Sequence, residues 1–191
     1  MSVKVLCFAG ATRAASFNKK LARAAHAAAA AAGAEATLFD LRDYPLPLYD
    51  GDLEAAEGLP ENALRLKTLF KTHQALLIAA PEYNSSITPL LKNTIDWISR
   101  EHHGESGLVP YAGKVAALVA ASPGALGGLR GLFHVRQILT TLGVLVLPEQ
   151  FALVRAHEAF DAEGRLKDAR QQATLDGIAQ KLVGVAARLA A

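Results

Sequence analysis

Short apolar runs alternate with amphipathic stretches along the chain. Val3–Phe8 is apolar and predicts a first strand. Phe17–Ala32 is rich in alanine, a strong helix former, and Gly33 follows as a C-terminal cap. Glu35–Asp40 alternates as a second strand. Pro60–Thr72 sets Leu64, Leu66, Leu69 and Phe70 at helical spacing. Ala75–Ala80 is wholly apolar, the mark of a strand buried on both faces. Thr88-Pro89 pairs an N-cap with proline at the first helical position and opens a helix to about Ser99. Lys114–Ala121 is a fourth strand, and Leu129–Leu142 a helix that ends before Gly143. Val144–Leu147 is a short fifth strand, with Gln150–Val154 as a candidate extension. Asp168–Leu189 is a terminal helix.

Polar and glycine-rich segments separate these elements. Asp43–Gly58 contains Pro45, Pro47, Gly51 and Gly58 and reads as a long irregular loop. Pro81–Ser86, His102–Tyr111 and Ser122–Gly128 read as further loops. Strand and helix alternate five times. That pattern predicts an α/β fold, a doubly wound five-stranded parallel sheet with helices on both faces, in one domain over 1–191.

Composition narrows the chemistry. The chain has 191 residues, a formal charge of +2 and one cysteine. One cysteine excludes an internal disulfide, a two-cysteine redox centre and a multi-cysteine metal site. Redox chemistry must then come from a cofactor. Cys7 lies mid-strand and reads as a small buried hydrophobe. The basic residues are scattered, which disfavours nucleic acid as partner. His102-His103 beside Glu101 and Glu105 is a poor metal site, and none is expected. The N-terminal apolar run is too short for a signal segment, and Leu21–Ala36 is interrupted by Arg23, His26 and Glu35. No membrane insertion is expected, and the expected compartment is the cytoplasm.

In open α/β sheets ligands bind beyond the carboxyl ends of the strands. The loops after strands 1, 3 and 4 are therefore the candidates. Gly10–Asn18 runs into a helix and offers backbone N–H groups, a helix N-terminus, the Arg13 fork, Ser16 and Asn18 to an anion. It lacks the ending of a triphosphate loop and the three-glycine dinucleotide fingerprint, so it suits a terminal monophosphate. Pro81–Ser86 offers Tyr83, Asn84 and backbone groups to a planar heterocycle. Ser122–Gly128 allows close backbone approach to a flat ring. Each loop alone also reads as an ordinary turn. Together they describe a flavin mononucleotide site.

Over roughly residues 3–152 the chain resembles the NAD(P)H-dependent FMN reductases of flavodoxin-like fold, which include bacterial quinone, chromate and azo-dye reductases. One motif is Gly10-Ala11-Thr12-Arg13-Ala14-Ala15-Ser16-Phe17-Asn18. Another is Pro81-Glu82-Tyr83-Asn84 followed by Leu91-Lys92-Asn93-Thr94-Ile95-Asp96-Trp97. Leu46–Asp50 and Gly127–Leu139 are also similar to family segments. The resemblance implies that Arg13, Ser16, Phe17 (by its backbone) and Asn18 hold the FMN phosphate. It implies that Pro81, Glu82, Tyr83 and Asn84 line the ring, with Ser122 and Gly124 across from them. Ala11 stands where the family usually has serine, which removes one hydroxyl donor.

The implied activity is hydride transfer from NADPH or NADH to FMN and on to quinones, azo dyes or metal oxyanions such as chromate. The chemistry resides on the flavin, so no catalytic side chain is required. Two alternatives stand beside it. One is a flavin reductase that releases FMN to a partner monooxygenase. The other is a non-enzymatic, flavodoxin-like electron carrier, which the +2 charge disfavours. The family also implies a homodimer or homotetramer, with Leu90, Leu91, Ile95 and Trp97 on one helix and Leu132, Phe133 and Leu139 on another as a candidate face. Lys92 and Asp96 are spaced for a surface ion pair.

Overall fold

The computed structural model describes residues 2–190. Five strands form one parallel sheet: β1 (Lys4–Ala9), β2 (Glu35–Leu38), β3 (Ala75–Ala79), β6 (Val115–Ala121) and β7 (Leu145–Leu153). Their order is β2-β1-β3-β6-β7. The chain winds outward to β2, returns past β1 to β3 and continues the other way. This is the flavodoxin-like order, and its switch point lies between β1 and β3.

Alternate residues of each strand feed two cores. Val5, Cys7 and Ala9 of β1 face α1 (Phe17–Ala31) and α6 (Ala169–Leu189). Leu6 and Phe8 face the other layer, built from α3 (Glu61–Lys71), α4 (Pro89–Ile98) and α5 (Leu129–Thr141). The alanine bias has a structural reason. Ala22, Ala25, Ala28 and Ala29 form the buried face of α1, and their small side chains let the helix lie close on the sheet. Cys7 is fully buried, which pushes its thiol up to about 12.

Three segments differ from the pattern-based expectation. The stretch 43–58 is not irregular throughout. Leu41–Asp43 is a 3-10 turn, and α2 spans Gly51–Glu57. The Asp50 carboxylate caps α2 by accepting from the Asp52 N–H at 2.8 Å, and Gly58 (φ +76) ends it. The segment 81–86 is a hairpin rather than a loop. Strands β4 (Glu82–Tyr83) and β5 (Ser86–Ile87) pair across Asn84 (φ 49) and Ser85 (φ 68). Positive φ at both turn residues matches the twist of the flanking strands. The two pieces expected at the last strand are one strand, β7. Its register with β6 shifts between Ala116 and Leu118, so Leu147–Glu149 are left out of the pairing. Arg136 donates to the carbonyls of Val146 (3.1 Å) and Pro148 (3.3 Å) across that bulge.

Candidate functional site

The loops after β1, β3 and β6 meet at one sheet edge, and identifiable contacts hold them there. Gly10 N–H donates to the Ala79 carbonyl at 2.9 Å, which extends the β1–β3 ladder into the first loop. Thr88 does two jobs. Its hydroxyl oxygen accepts from the Leu91 N–H (3.2 Å), capping α4, and its hydroxyl donates to the Gly10 carbonyl at 2.8 Å. A Cβ on Gly10 would stand 3.0 Å from Leu91 Cβ and 3.3 Å from Pro81 Cδ. Glycine at this position lets the first loop press against α4 and the buried Pro81.

The first loop keeps its donors available. Ser16 occupies the N-cap of α1 without a side-chain hydrogen bond to the helix. The first N–H groups of α1 are therefore left for another acceptor. Arg13 is exposed, with its guanidinium 5.8 Å from the Phe17 ring centre. Lys19 braces the loop from below. Its ammonium donates to the Thr12 carbonyl (3.1 Å) and pairs with Asp40 (2.6 Å), two residues beyond β2. Nothing in the sequence pattern singles out Lys19 for this role.

The Asn18 amide is engaged with the sheet. Nδ2 donates to the Ala121 carbonyl (2.8 Å) and Oδ1 accepts from the Ala121 N–H (2.9 Å), with the residue 4% exposed. Asn18 follows the N-cap position Ser16 by two residues, and its side chain points inward to the sheet. There it satisfies the backbone at the end of β6. Asn18 thus joins the first loop to the third.

The Glu82 side chain is likewise engaged away from the position expected for a ring. Its carboxylate is paired with Arg130 and accepts from the Gly131 N–H at 3.1 Å, at the start of α5. Burial pushes this carboxyl up. The Arg130 guanidinium and the Gly131 N–H outweigh that and hold it below the ordinary glutamate range. What Glu82 presents at the loop is its backbone. Gly131 is needed here, because a Cβ on it would lie 3.3 Å from both Glu82 Cβ and the Ser86 carbonyl oxygen.

Tyr83 is 58% exposed at the hairpin tip beside Asn84. In the third loop Ser122 N–H donates to the Leu153 carbonyl (3.1 Å), and its Oγ accepts from the Gly124 N–H (3.2 Å). The glycines that the packing demands are Gly127 and Gly128, not Gly124. A Cβ on Gly128 (φ +95) would come 2.8 Å from Ala120 Cβ, whereas Gly124 has room.

The segment resembling Leu46–Asp50 and the Asn93/Trp97 motif turn out to be one device. Asn93 Nδ2 and Trp97 Nε1 both donate to the Pro47 carbonyl at 2.8 Å, and Asn93 Oδ1 accepts from the Tyr49 N–H at 2.7 Å. The motif pins a chain segment to α4. Lys92 and Asp96 pair on the surface at 2.8 Å. Most of the candidate subunit face is internal: Leu91, Ile95, Trp97, Leu132 and Leu139 are buried within the chain, while Phe133 is 54% exposed.

This arrangement brings an open donor loop, a hairpin and a glycine-rich loop together at the switch point of a flavodoxin-like sheet. Residues 3–158 match the NADPH-dependent FMN reductase family. The chain belongs to that family. An NAD(P)H-dependent FMN reductase of Pseudomonas aeruginosa is 37% identical over 167 residues, covering 87% of this chain and 85% of that protein. An Escherichia coli quinone reductase is 34% identical over 182 residues, covering 94% and 92%. Among solved structures, the flavoenzyme NAD(P)H:(acceptor) oxidoreductase FerB from Paracoccus denitrificans superposes with a TM-score of 0.81 at 30% identity, covering 97% of this chain and 98% of that one. As a member of this reductase family the chain is an oxidoreductase with FMN as cofactor and NAD(P)H as electron donor. The open donors of the first loop fit a terminal phosphate. Ala11, 8% exposed, adds no hydroxyl to that set. Among the described residues no helix is long and apolar enough to cross a membrane.

Proposed function

We propose that this reductase passes electrons from NAD(P)H through FMN to small acceptors, namely quinones, azo dyes or metal oxyanions such as chromate. The observation that carries the reading is the joining of three strand-end loops by Thr88–Gly10 and Asn18–Ala121 into one edge site. When bound, FMN supplies the two-electron chemistry. The chain positions and encloses it. Arg13, the Ser16 hydroxyl and the N–H groups of Phe17 and its neighbours hold the phosphate. Pro81, the Glu82 backbone, Tyr83 and Asn84 line one side of the ring, with Ser122 and Gly124 on the other. Asn18 contributes indirectly, by fixing the loops. No side chain here needs to act as nucleophile or general base.

One open edge serves donor and acceptor in turn. Initial velocities with NADPH and a quinone should therefore give parallel lines; intersecting lines reject the shared site. Homologous quinone reductases support the acceptor class.

The reading extends to a cytoplasmic homodimer or homotetramer. A groove of about 450 Å³ between α4 and α5, lined by Lys92, Ile95, His134 and Ile138, supports the surface for assembly, with exposed Phe133 on the same helix.

A further inference from the structure

The open β2 edge of the sheet carries a second cavity, of about 440 Å³, beside the phosphate loop. That volume lies in the range of small-molecule sites, roughly 300–1,000 Å³. Lys19 and Arg23 of α1 line one side. Phe39, Asp40, Asp43 and Tyr44 line the other. The cavity and the phosphate loop share a brace, because the Lys19 ammonium bonds both the Thr12 carbonyl and Asp40.

The lining sets aromatic, acidic and basic side chains side by side. Phe39 and Tyr44 pack edge to face at 5.6 Å and supply aromatic surface for a base. The Arg65 guanidinium lies 4.7 Å from the Tyr44 ring centre and steadies that ring. Asp40 is fixed by Lys19 and by the Arg42 N–H at 3.0 Å. It lies two residues beyond β2, near where an acidic residue meets the ribose hydroxyls in dinucleotide-binding α/β folds. Asp43, Arg23 and the Tyr44 hydroxyl make no side-chain hydrogen bond or ion pair among the described residues. They are available as a diol acceptor, a phosphate fork and a further hydrogen-bonding group.

We propose that this cavity binds the adenosine phosphate portion of a nucleotide. The inference rests on the nucleotide reading of the neighbouring loop. Two molecules carry the group: the NAD(P)H that supplies hydride, and an FAD taken in place of FMN.

The test uses FMN-loaded protein titrated with 5′-AMP and followed by amide NMR. The expected result is saturable shifts at Arg23, Asp40, Asp43 and Tyr44. Arg23→Glu should weaken AMP about tenfold, the loss of one charge-assisted hydrogen bond, and Tyr44→Ala should weaken it too. FMN affinity should hold in both. If the adenosine belongs to the hydride donor, AMP competes with NADPH and Arg23→Glu raises KM for NADPH rather than lowering kcat. If it belongs to FAD, excess FAD displaces FMN from wild type but not from Arg23→Glu, and AMP does not compete with NADPH. Absent shifts, or shifts confined to other surfaces, overturn the proposal even in a protein that oxidises NADPH normally. AMP binding at these residues in a protein that never oxidises NADPH would instead uphold the pocket and reject the proposed function alone.

Discussion

The Thr88 hydroxyl donates to the Gly10 carbonyl across 78 positions of sequence while capping its own helix. One side chain therefore sets both the start of α4 and the path of the phosphate loop. Thr88→Val keeps the shape and loses both bonds. It should destabilise the fold by about 1–2 kcal/mol, the usual worth of a cap, and also weaken FMN binding. Thr88→Ser should restore most of both. Urea unfolding and FMN titration of the three proteins check this, and a Thr88→Val protein with native FMN affinity would break the link between cap and loop.

Asn18 and Ala121 form the second tie. Asn18→Ala leaves two buried backbone groups of Ala121 without partners, a cost of about 1–3 kcal/mol for each. Asn18→Asp should be worse at neutral pH, because a carboxylate oxygen then faces the Ala121 carbonyl. If Asn18 instead touched phosphate directly, the alanine variant would lose FMN affinity with normal stability of the FMN-free protein. Comparing unfolding midpoints with and without FMN separates these cases.

Arg13 should behave in the opposite way. It is exposed and its side chain makes no hydrogen bond or ion pair among the described residues, so Arg13→Ala should leave stability within about 0.5 kcal/mol. FMN affinity should fall about 10- to 100-fold, the loss of a charge-assisted phosphate contact. Fluorescence titration with FMN measures it, and unchanged affinity removes Arg13 from the phosphate site.

The five strands of the parallel sheet are legible in the sequence pattern, whereas contacts between distant residues are not. The ALLIAA run of β3 and the Thr88-Pro89 start of α4 are local signals, and both elements form as expected. The partners of the Asn18 and Glu82 side chains lie 103 and 49 positions away. A polar residue near a helix start satisfies whichever backbone the fold brings to it, and spacing alone does not reveal which. Helix α2 is masked by Pro45 and Pro47 upstream and by Gly51 and Gly58 at its ends. Its signal was the capping Asp50 with Asp52 and Glu54 in the first turn, closed by Gly58. Lys19 is invisible to periodicity because it is a buried charge on an otherwise small-residue face.

His73 gives the fold a pH dependence. Its ring bonds the Leu69 carbonyl at 2.7 Å and Thr37 Oγ1 at 2.9 Å. Burial pushes its imidazole below the ordinary value of 6.5; the Leu69 carbonyl opposes this, Lys114 and Lys4 add to it, and Glu35 opposes it. The unfolded chain then binds a proton that the folded chain refuses. His73 contributes its full stability above pH 6.5, and that contribution drains away as the pH falls through its lowered folded value. Urea midpoints one unit above and below 6.5 should differ in that direction. His73→Gln should reduce the difference; an equal slope in the variant assigns the effect elsewhere.

In the proposed function, FMN sits at the edge formed by the three loops and NAD(P)H reduces it there. The most direct measurement is the visible absorbance of the FMN-loaded protein under anaerobic conditions. Addition of NADPH or NADH should bleach the flavin, and a quinone added next should restore its colour. A flavin that stays oxidised in the presence of both nicotinamides would contradict the account.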